Sequence, residues 1–222
     1  MPIAILYYKV SPESINSAQQ SAQIADWIEE LPIIKQNRIK KLHRQKDRVL
    51  SLAGLQLLKI AISEYLGSPF SLDQLQFPEH GKPYFNSNID FNISHSGDFV
   101  CCIASDNFKV GVDIEKPRYV RPAILNKFLP NALTKNKEEN QRRFFELWTK
   151  NEAIIKASNS GSIHNMKEIK LEDEGGYYQD QFWFTYPIKI MSTEYDKEYT
   201  CHIACSKKIS ADEIMATQIR NL

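Results

Sequence analysis

A histidine, three carboxylates and a lysine stand in three short stretches of this 222-residue chain. The stretches are Asn92-Ile93-Ser94-His95-Ser96-Gly97, Gly111-Val112-Asp113-Ile114-Glu115, and Trp148-Thr149-Lys150-Asn151-Glu152-Ala153-Ile154-Ile155-Lys156. Together they suit one job, holding a divalent cation against a pyrophosphate. Val110, Val112 and Ile114 alternate with Gly111, Asp113 and Glu115 at the two-residue period of a strand, which predicts one buried face and one face presenting two acids. Carboxylates about 7 Å apart on a strand face repel unless a cation or a basic group lies between them. Hard oxygen donors of this kind suit Mg²⁺, which keeps several waters and completes its shell with substrate phosphates. An acid-x-acid spacing also arises by chance about three times in a chain with 27 acids, so the pair takes its meaning from its neighbours.

Those neighbours lie on a predicted helix from about Glu138 to Ser158. Phe145, Trp148, Glu152 and Lys156 recur three or four residues apart and share a face. A solvated Glu–Lys pair at that spacing contributes only about 0.3–0.5 kcal/mol. Here it continues an inward aromatic stripe, with Lys150 and Asn151 off to its side, and a charged pair at the edge of a buried face is more informative. His95 falls at the end of a strand, Asp90 to Ser94, before a second apolar strand, Phe99 to Ser105. A lone histidine is more often structural than a ligand. The hydroxyls of Ser94 and Ser96, with Gly97, nevertheless make the turn a candidate phosphate cradle.

In these stretches the chain resembles a 4'-phosphopantetheinyl transferase of the type that activates peptide and polyketide synthases, the surfactin-synthetase-activating type. That family shows Gly-Lys-Pro, Asn-x-Ser-His-Ser, Gly-x-Asp-x-Glu and Trp-x-x-Lys-Glu-x-x-x-Lys in order; this chain has Gly81-Lys82-Pro83 and then the three stretches above. The resemblance is close over residues 81 to 156, looser before them and faint after. It implies transfer of the phosphopantetheine arm of coenzyme A to a serine of an apo acyl or peptidyl carrier protein, releasing adenosine 3',5'-bisphosphate. It further implies Mg²⁺ held by Asp113, Glu115 and Glu152, with Glu152 and Lys156 catalytic. Lys156 would meet the phosphate nearest the pantetheine and stabilise or protonate the departing nucleotide. Ser94 and His95 would bind coenzyme A phosphates and Lys82 would reach the adenosine side. The proton of the incoming serine would pass to Glu152 or to a water held by the metal near it. Two other classes fit the same acids: another Mg²⁺-dependent phosphotransferase or nuclease, and a non-catalytic coenzyme A or carrier-protein binder.

The chain departs from the family pattern twice. Lys or Arg usually precedes the catalytic Glu, whereas this chain has Asn151. Lys150 is the nearest cation and a candidate coenzyme A contact, although one helical step swings it about 100° away. Relatives commonly carry Arg three residues after the Asp of Lys46-Asp47-Arg48-Val49-Leu50; here that position is Leu50, leaving Arg44 and Arg48, one turn apart, as candidate phosphate contacts.

Composition frames this chemistry. The chain is 42% hydrophobic and 25% charged with net charge +1, which suits one large domain or two small ones and argues against a general nucleic-acid or membrane binder. Carrier proteins are commonly acidic, and the run Lys35, Arg38, Lys40, Lys41, Arg44, Lys46, Arg48 is the candidate basic face, or else a solvated helix face. Four cysteines without metal spacing read as buried thiols. Met1 to Val10 reads as a strand rather than a signal peptide, and no stretch approaches a membrane span, so a cytoplasmic protein is expected.

The expected fold class is α/β (α+β), with two pseudo-symmetric halves, residues 1–106 and 107–222, each a small, mostly antiparallel sheet packed with helices, the active site in the cleft between them. In the first half a strand at Ile3 to Tyr8 precedes helices at Ser17 to Glu30 and Ile33 to Leu66, then strands at Gln74 to Phe77, Asp90 to Ser94 and Phe99 to Ser105. In the second, a strand at Lys109 to Glu115 precedes helices at Arg121 to Phe128 and Glu138 to Ser158. Strands at Glu168 to Leu171, Gln181 to Tyr186, Tyr199 to Ala204 and Glu213 to Gln218 close it. Asn131 to Asn140 reads as a mobile loop, and Glu172 to Gly176 as a turn with Gly175 and Gly176 at positive φ. Met166, Trp183 and Phe184 read as packing. Phe128 and Leu129 are candidates to meet a carrier helix. Coenzyme A would enter the cleft, and two halves in one chain would build it in a monomer.

Overall fold

The computed structural model of the chain describes residues 3–11, 18–79, 81–129, 133–159, 163–190, 199–210, 213–214 and 216–222. The apolar run Ile3–Lys9 (β1) is buried along most of its length and lies inside a four-stranded sheet. It pairs antiparallel with Phe99–Ser105 (β3), which pairs with Asp90–Ser96 (β2), and parallel with Ala216–Ile219 (β9). A second, antiparallel sheet has the order Val110–Glu115 (β4), Thr200–Cys205 (β8), Gln181–Pro187 (β7), Gly175–Tyr178 (β6) and Lys170–Glu172 (β5).

Strand alternation sorts the residues into layers. Ala4, Leu6, Val100, Cys102 and Ala104 pack against the helices Ala18–Glu29 (α1), Ile33–Lys40 (α2) and Gln45–Ile60 (α3). Ile3, Ile5, Phe99, Cys101 and Ile103 face Val110, Val112, Ile114 and Ile203 of the second sheet. On that sheet's far side Lys137–Ser158 (α5) packs Ala153, Ile154 and Ala157 against Tyr178, Trp183 and Ala204. Pro122–Phe128 (α4) lies against the first half of α5, through Leu125, Phe144 and Phe145. The result is an α+β arrangement of helix, sheet, sheet and helix layers. Cys101 and Cys102 point to opposite layers, and all four cysteines are buried free thiols. No helix among the described residues is long and apolar enough to cross a membrane.

Several expectations are corrected. The single helix expected over Ile33 to Leu66 is two, α2 and α3, the second continuing as a π turn, Ala61–Tyr65. Arg48 turns back to donate to the carbonyls of Leu42 at 2.7 Å and Lys40 at 3.5 Å, satisfying the backbone where α2 stops. In place of the strand at Gln74 to Phe77 there is a 3-10 turn, Leu72–Gln74, and a lone bridge from Gln76 to Tyr84. Gly175 and Gly176 lie in β6 without positive φ, the turn being confined to the residues before them. Within Asn131 to Asn140 helix α5 already begins at Lys137, where the Asn136 side chain accepts from the N–H groups of Glu138 and Glu139; Asn131 and Ala132 lie outside the described residues. Ser17 and Met215, assigned to a helix and a strand, also lie outside them. The last strand joins the first sheet beside β1, not the second.

Candidate active site

β2 and β4 are edge strands of their sheets, and they meet along a seam made by side chains. Asp90 Oδ2, Asn92 Oδ1, Ser94 Oγ and Ser96 Oγ accept from the N–H groups of Val110 (2.7 Å), Val112 (3.0 Å), Ile114 (3.4 Å) and Lys116 (3.0 Å). Each partner is 20 residues further along, so the strands run side by side in the same direction. Backbone donors that an open edge would leave unpaired are thereby satisfied.

The acids sit on this seam. Ser94 Oγ donates to Asp113 Oδ1 and Ser96 Oγ to Glu115 Oε2, each at 2.9 Å. Lys156 Nζ reaches Asp113 Oδ1 at 2.6 Å, Ser94 Oγ at 3.1 Å and the Val112 carbonyl at 3.3 Å. α5 can cross so near because residue 111 is glycine: a Cβ there would stand 2.2 Å from the Ala153 carbonyl oxygen and 2.5 Å from the Ala157 nitrogen. The acid face of β4 is therefore covered rather than open, and Asp113 is only 5% exposed. Burial pushes the Glu152 carboxyl above its ordinary pKa, with Lys156 opposing and Asp113 and Glu115 adding to the rise. The three acids are thus within electrostatic reach of one another.

The donor set has the oxygen chemistry that Mg²⁺ takes. Asp113 Oδ2 is buried and has no hydrogen-bond partner among the described residues, as an oxygen reserved for a cation would be. Among the described residues no three His, Cys, Asp or Glu side chains are grouped closely enough to hold a metal ion by themselves.

The other candidates are dispersed. His95 lies within β2, not beyond its end, and is exposed on the face turned from the seam. Partial loss of solvent, with Lys156 and Lys35, holds its imidazole below the ordinary pKa, while Asp47 opposes. The turn after it is filled rather than open: Gly97 has φ +60°, and a Cβ there would meet the Tyr199 hydroxyl at 2.2 Å. Asp98 in this turn pairs with Lys46 and Lys116. Lys82 Nζ is bound to Asp90 Oδ2 at 2.7 Å and the Val110 carbonyl at 3.0 Å, and its backbone N–H donates to Asn159 Oδ1, at the left-handed end of α5. Arg44 is exposed at the start of α3, and Arg48 is committed to the carbonyls described above. Half-buried Lys150 lies near His202, which burial and that lysine hold down to about 4.

Beyond Glu115 opens a cavity of about 920 Å³ between α4, α5 and the 3-10 turn Ile163–Glu168. Phe128, Phe144, Trp148, Met166 and Ile169 supply apolar walls, with Arg118, Arg121, Lys127 and Lys167 adding cations. Phe128 meets Phe144 and Trp148 edge-on, each at 5.4 Å, and Leu129 is buried, so Leu129 is not a surface for a carrier helix. Asn151, expected off to the side of the aromatic stripe, is buried and lines the cavity with it. The missed signal was the stripe Phe144, Leu147, Trp148, Asn151, which follows helical spacing. Met166, assigned to packing alone, is a wall residue too.

Comparison with known proteins gives a consistent pattern. Residues 18–107 match the family described as 4'-phosphopantetheinyl transferase, N-terminal, and residues 109–204 match the 4'-phosphopantetheinyl transferase superfamily. The chain is 29% identical over 194 residues to a 4'-phosphopantetheinyl transferase of Aneurinibacillus migulanus, spanning 84% of this chain and 80% of the relative. A Haemophilus influenzae protein named for the same activity is 30% identical over 168 residues, 69% of each chain. A Bacillus subtilis 4'-phosphopantetheinyl transferase is 31% identical over 134 residues, 57% of this chain and 59% of the relative.

Proposed function

We propose, since this chain belongs to the 4'-phosphopantetheinyl transferase superfamily and is an enzyme of that kind, that it moves the arm of coenzyme A to a serine of an apo acyl or peptidyl carrier protein in the cytoplasm, releasing adenosine 3',5'-bisphosphate. The observation that carries this reading is the seam itself: a buried Asp113 with one unpartnered oxygen, coupled electrostatically to Glu115 and Glu152, beside Lys156. Asp113, Glu115 and Glu152 would hold Mg²⁺. When bound, the ion supplies charge neutralisation to the pyrophosphate.

The chain's own residues do the rest. Glu152, directly or through a water beside it, takes the proton of the serine hydroxyl as that oxygen attacks the phosphorus carrying the pantetheine. The bond from that phosphorus to the bridging oxygen breaks, and the electron pair leaves with the nucleotide. Lys156 swings from Asp113 to the phosphate nearest the pantetheine and neutralises the charge on the departing group. His95 and Ser94, with Arg44, Arg48, Lys82 and Lys150, are the phosphate and nucleotide contacts; Lys82, Arg48 and Ser94 reach them by exchanging present partners. The arm lies in the cavity beyond Glu115, whose size falls in the range of about 300–1,000 Å³ usual for ligand sites. Incubation with Mg²⁺, coenzyme A and an apo carrier domain should raise the carrier's intact mass by one arm, and chelation should abolish the change. An unmodified carrier would reject the reading; consumption of nucleotides without any carrier would favour another phosphotransferase.

A further inference from the structure

The cavity holds one polar side chain in its apolar interior that the described residues leave unsatisfied. Asn151 is 6% exposed and its Oδ1 has no hydrogen-bond partner among them. It continues the stripe of Phe144, Leu147 and Trp148 along α5 and shares the cavity wall with them, close to the Glu115 end. Packing alone would be served as well by leucine, which has nearly the same shape and no unpaired amide. Buried polar groups are nearly always satisfied, so an orphaned amide oxygen on a residue of the cavity wall points to a bond that a ligand completes once the amide turns toward the space. A lysine or arginine, the residue type usual before the catalytic glutamate in this family, would bring a charge suited to a phosphate. An asparagine is neutral and suits a neutral partner.

We propose that Asn151 is a specificity-determining contact, hydrogen-bonding an amide N–H of the pantetheine arm while Phe144, Trp148 and Met166 enclose its methylene groups. This rests on the reading that coenzyme A is the donor. The arm offers amides along an otherwise uncharged chain, which matches the apolar stretch of wall formed by Phe144, Trp148 and Met166 beside one amide, the charged side chains of Arg118, Arg121, Lys127 and Lys167 lining other parts of the cavity. Asn151 thus reads the transferred part of the donor and not the nucleotide left behind.

The test is calorimetric titration, in the presence of Mg²⁺, of the parent protein and Asn151→Leu with coenzyme A and with adenosine 3',5'-bisphosphate, which lacks the arm. The variant should bind coenzyme A roughly three- to tenfold more weakly, bind the bisphosphate as the parent does, and melt at the same or a higher temperature. Unchanged coenzyme A affinity, or equal weakening toward both ligands with a lower melting temperature, would overturn the proposal and leave Asn151 a structural residue. Asn151→Ala serves as the second variant should leucine perturb the helix, with the same pattern expected. A parent protein that binds the bisphosphate but not coenzyme A would remove the arm's place in the cavity; one that binds neither would reject the donor reading itself, and this proposal with it.

Discussion

The Asp113–Lys156 ion pair binds α5 to β4 at the proposed site. Asp113 is nearly buried and its ammonium partner is mostly so, which means that removing one member strands the other. Lys156→Ala should lower stability by on the order of 3 kcal/mol as well as abolish transfer, measured by denaturant unfolding and by carrier mass. Adding Asp113→Asn should restore much of the stability and none of the activity, because it removes the stranded charge without returning the lost ammonium. Glu152 differs: it is half-buried and forms no such pair among the described residues, so Glu152→Gln should abolish transfer while leaving coenzyme A binding and melting temperature near the parent's. Turnover at near the parent rate would remove its role as base. Asp113, Glu115, Glu152 and Lys156 were legible in the sequence because the strand period puts the first two on one face, the helix period puts the last two on another, and the family resemblance ties the faces to one chemistry. Lys82 and Arg48 were not, since their commitment to Asp90 and to the α2 carbonyls depends on how distant segments meet.

Among the elements, α5 is the one on which the site turns. Its approach to β4 depends on Gly111, and Gly111→Ala should push the helix outward, costing about 1–3 kcal/mol and displacing Glu152 and Lys156 from the seam. Falling kcat together with a lower melting temperature is the expected result. Beneath the same helix, Thr149 Oγ1 lies 2.7 Å from His202 Nδ1 and donates to the Phe145 carbonyl, so it accepts from a neutral imidazole. His202 is 4% exposed and its pKa is held to about 4, below the ordinary unfolded value of about 6.5. A base with a depressed folded pKa takes up fewer protons when folded, so its contribution is complete above about pH 6.5 and is lost as pH falls toward 4. On the order of 3 kcal/mol should disappear across that window, and His202→Gln should flatten this part of the stability profile. The existence of α5 was plain from the recurrence of Phe145, Trp148, Glu152 and Lys156 three or four residues apart. The break between α2 and α3 was not, because no glycine or proline marks it and the stop is supplied by Arg48 from the next helix.

At the scale of the whole molecule, two sheets are joined by side chains where backbone pairing would ordinarily serve. Asp90 to Ser94 was legible as a strand, yet nothing local told that the side chains of Asp90, Asn92, Ser94 and Ser96 would meet the amides of β4 rather than water. The position of β9 was equally hidden, since a four-residue strand carries no mark of which sheet it will join. Its pairing with β1 has a bearing on biosynthesis. The segment that finishes the first sheet emerges from the ribosome after the entire second sheet has been made, so the earliest strand must wait with one edge bare while some two hundred residues follow it. A nascent chain of this kind is exposed to unwanted strand addition for most of its translation, and its natural guardian would be whatever engages that edge at the tunnel exit.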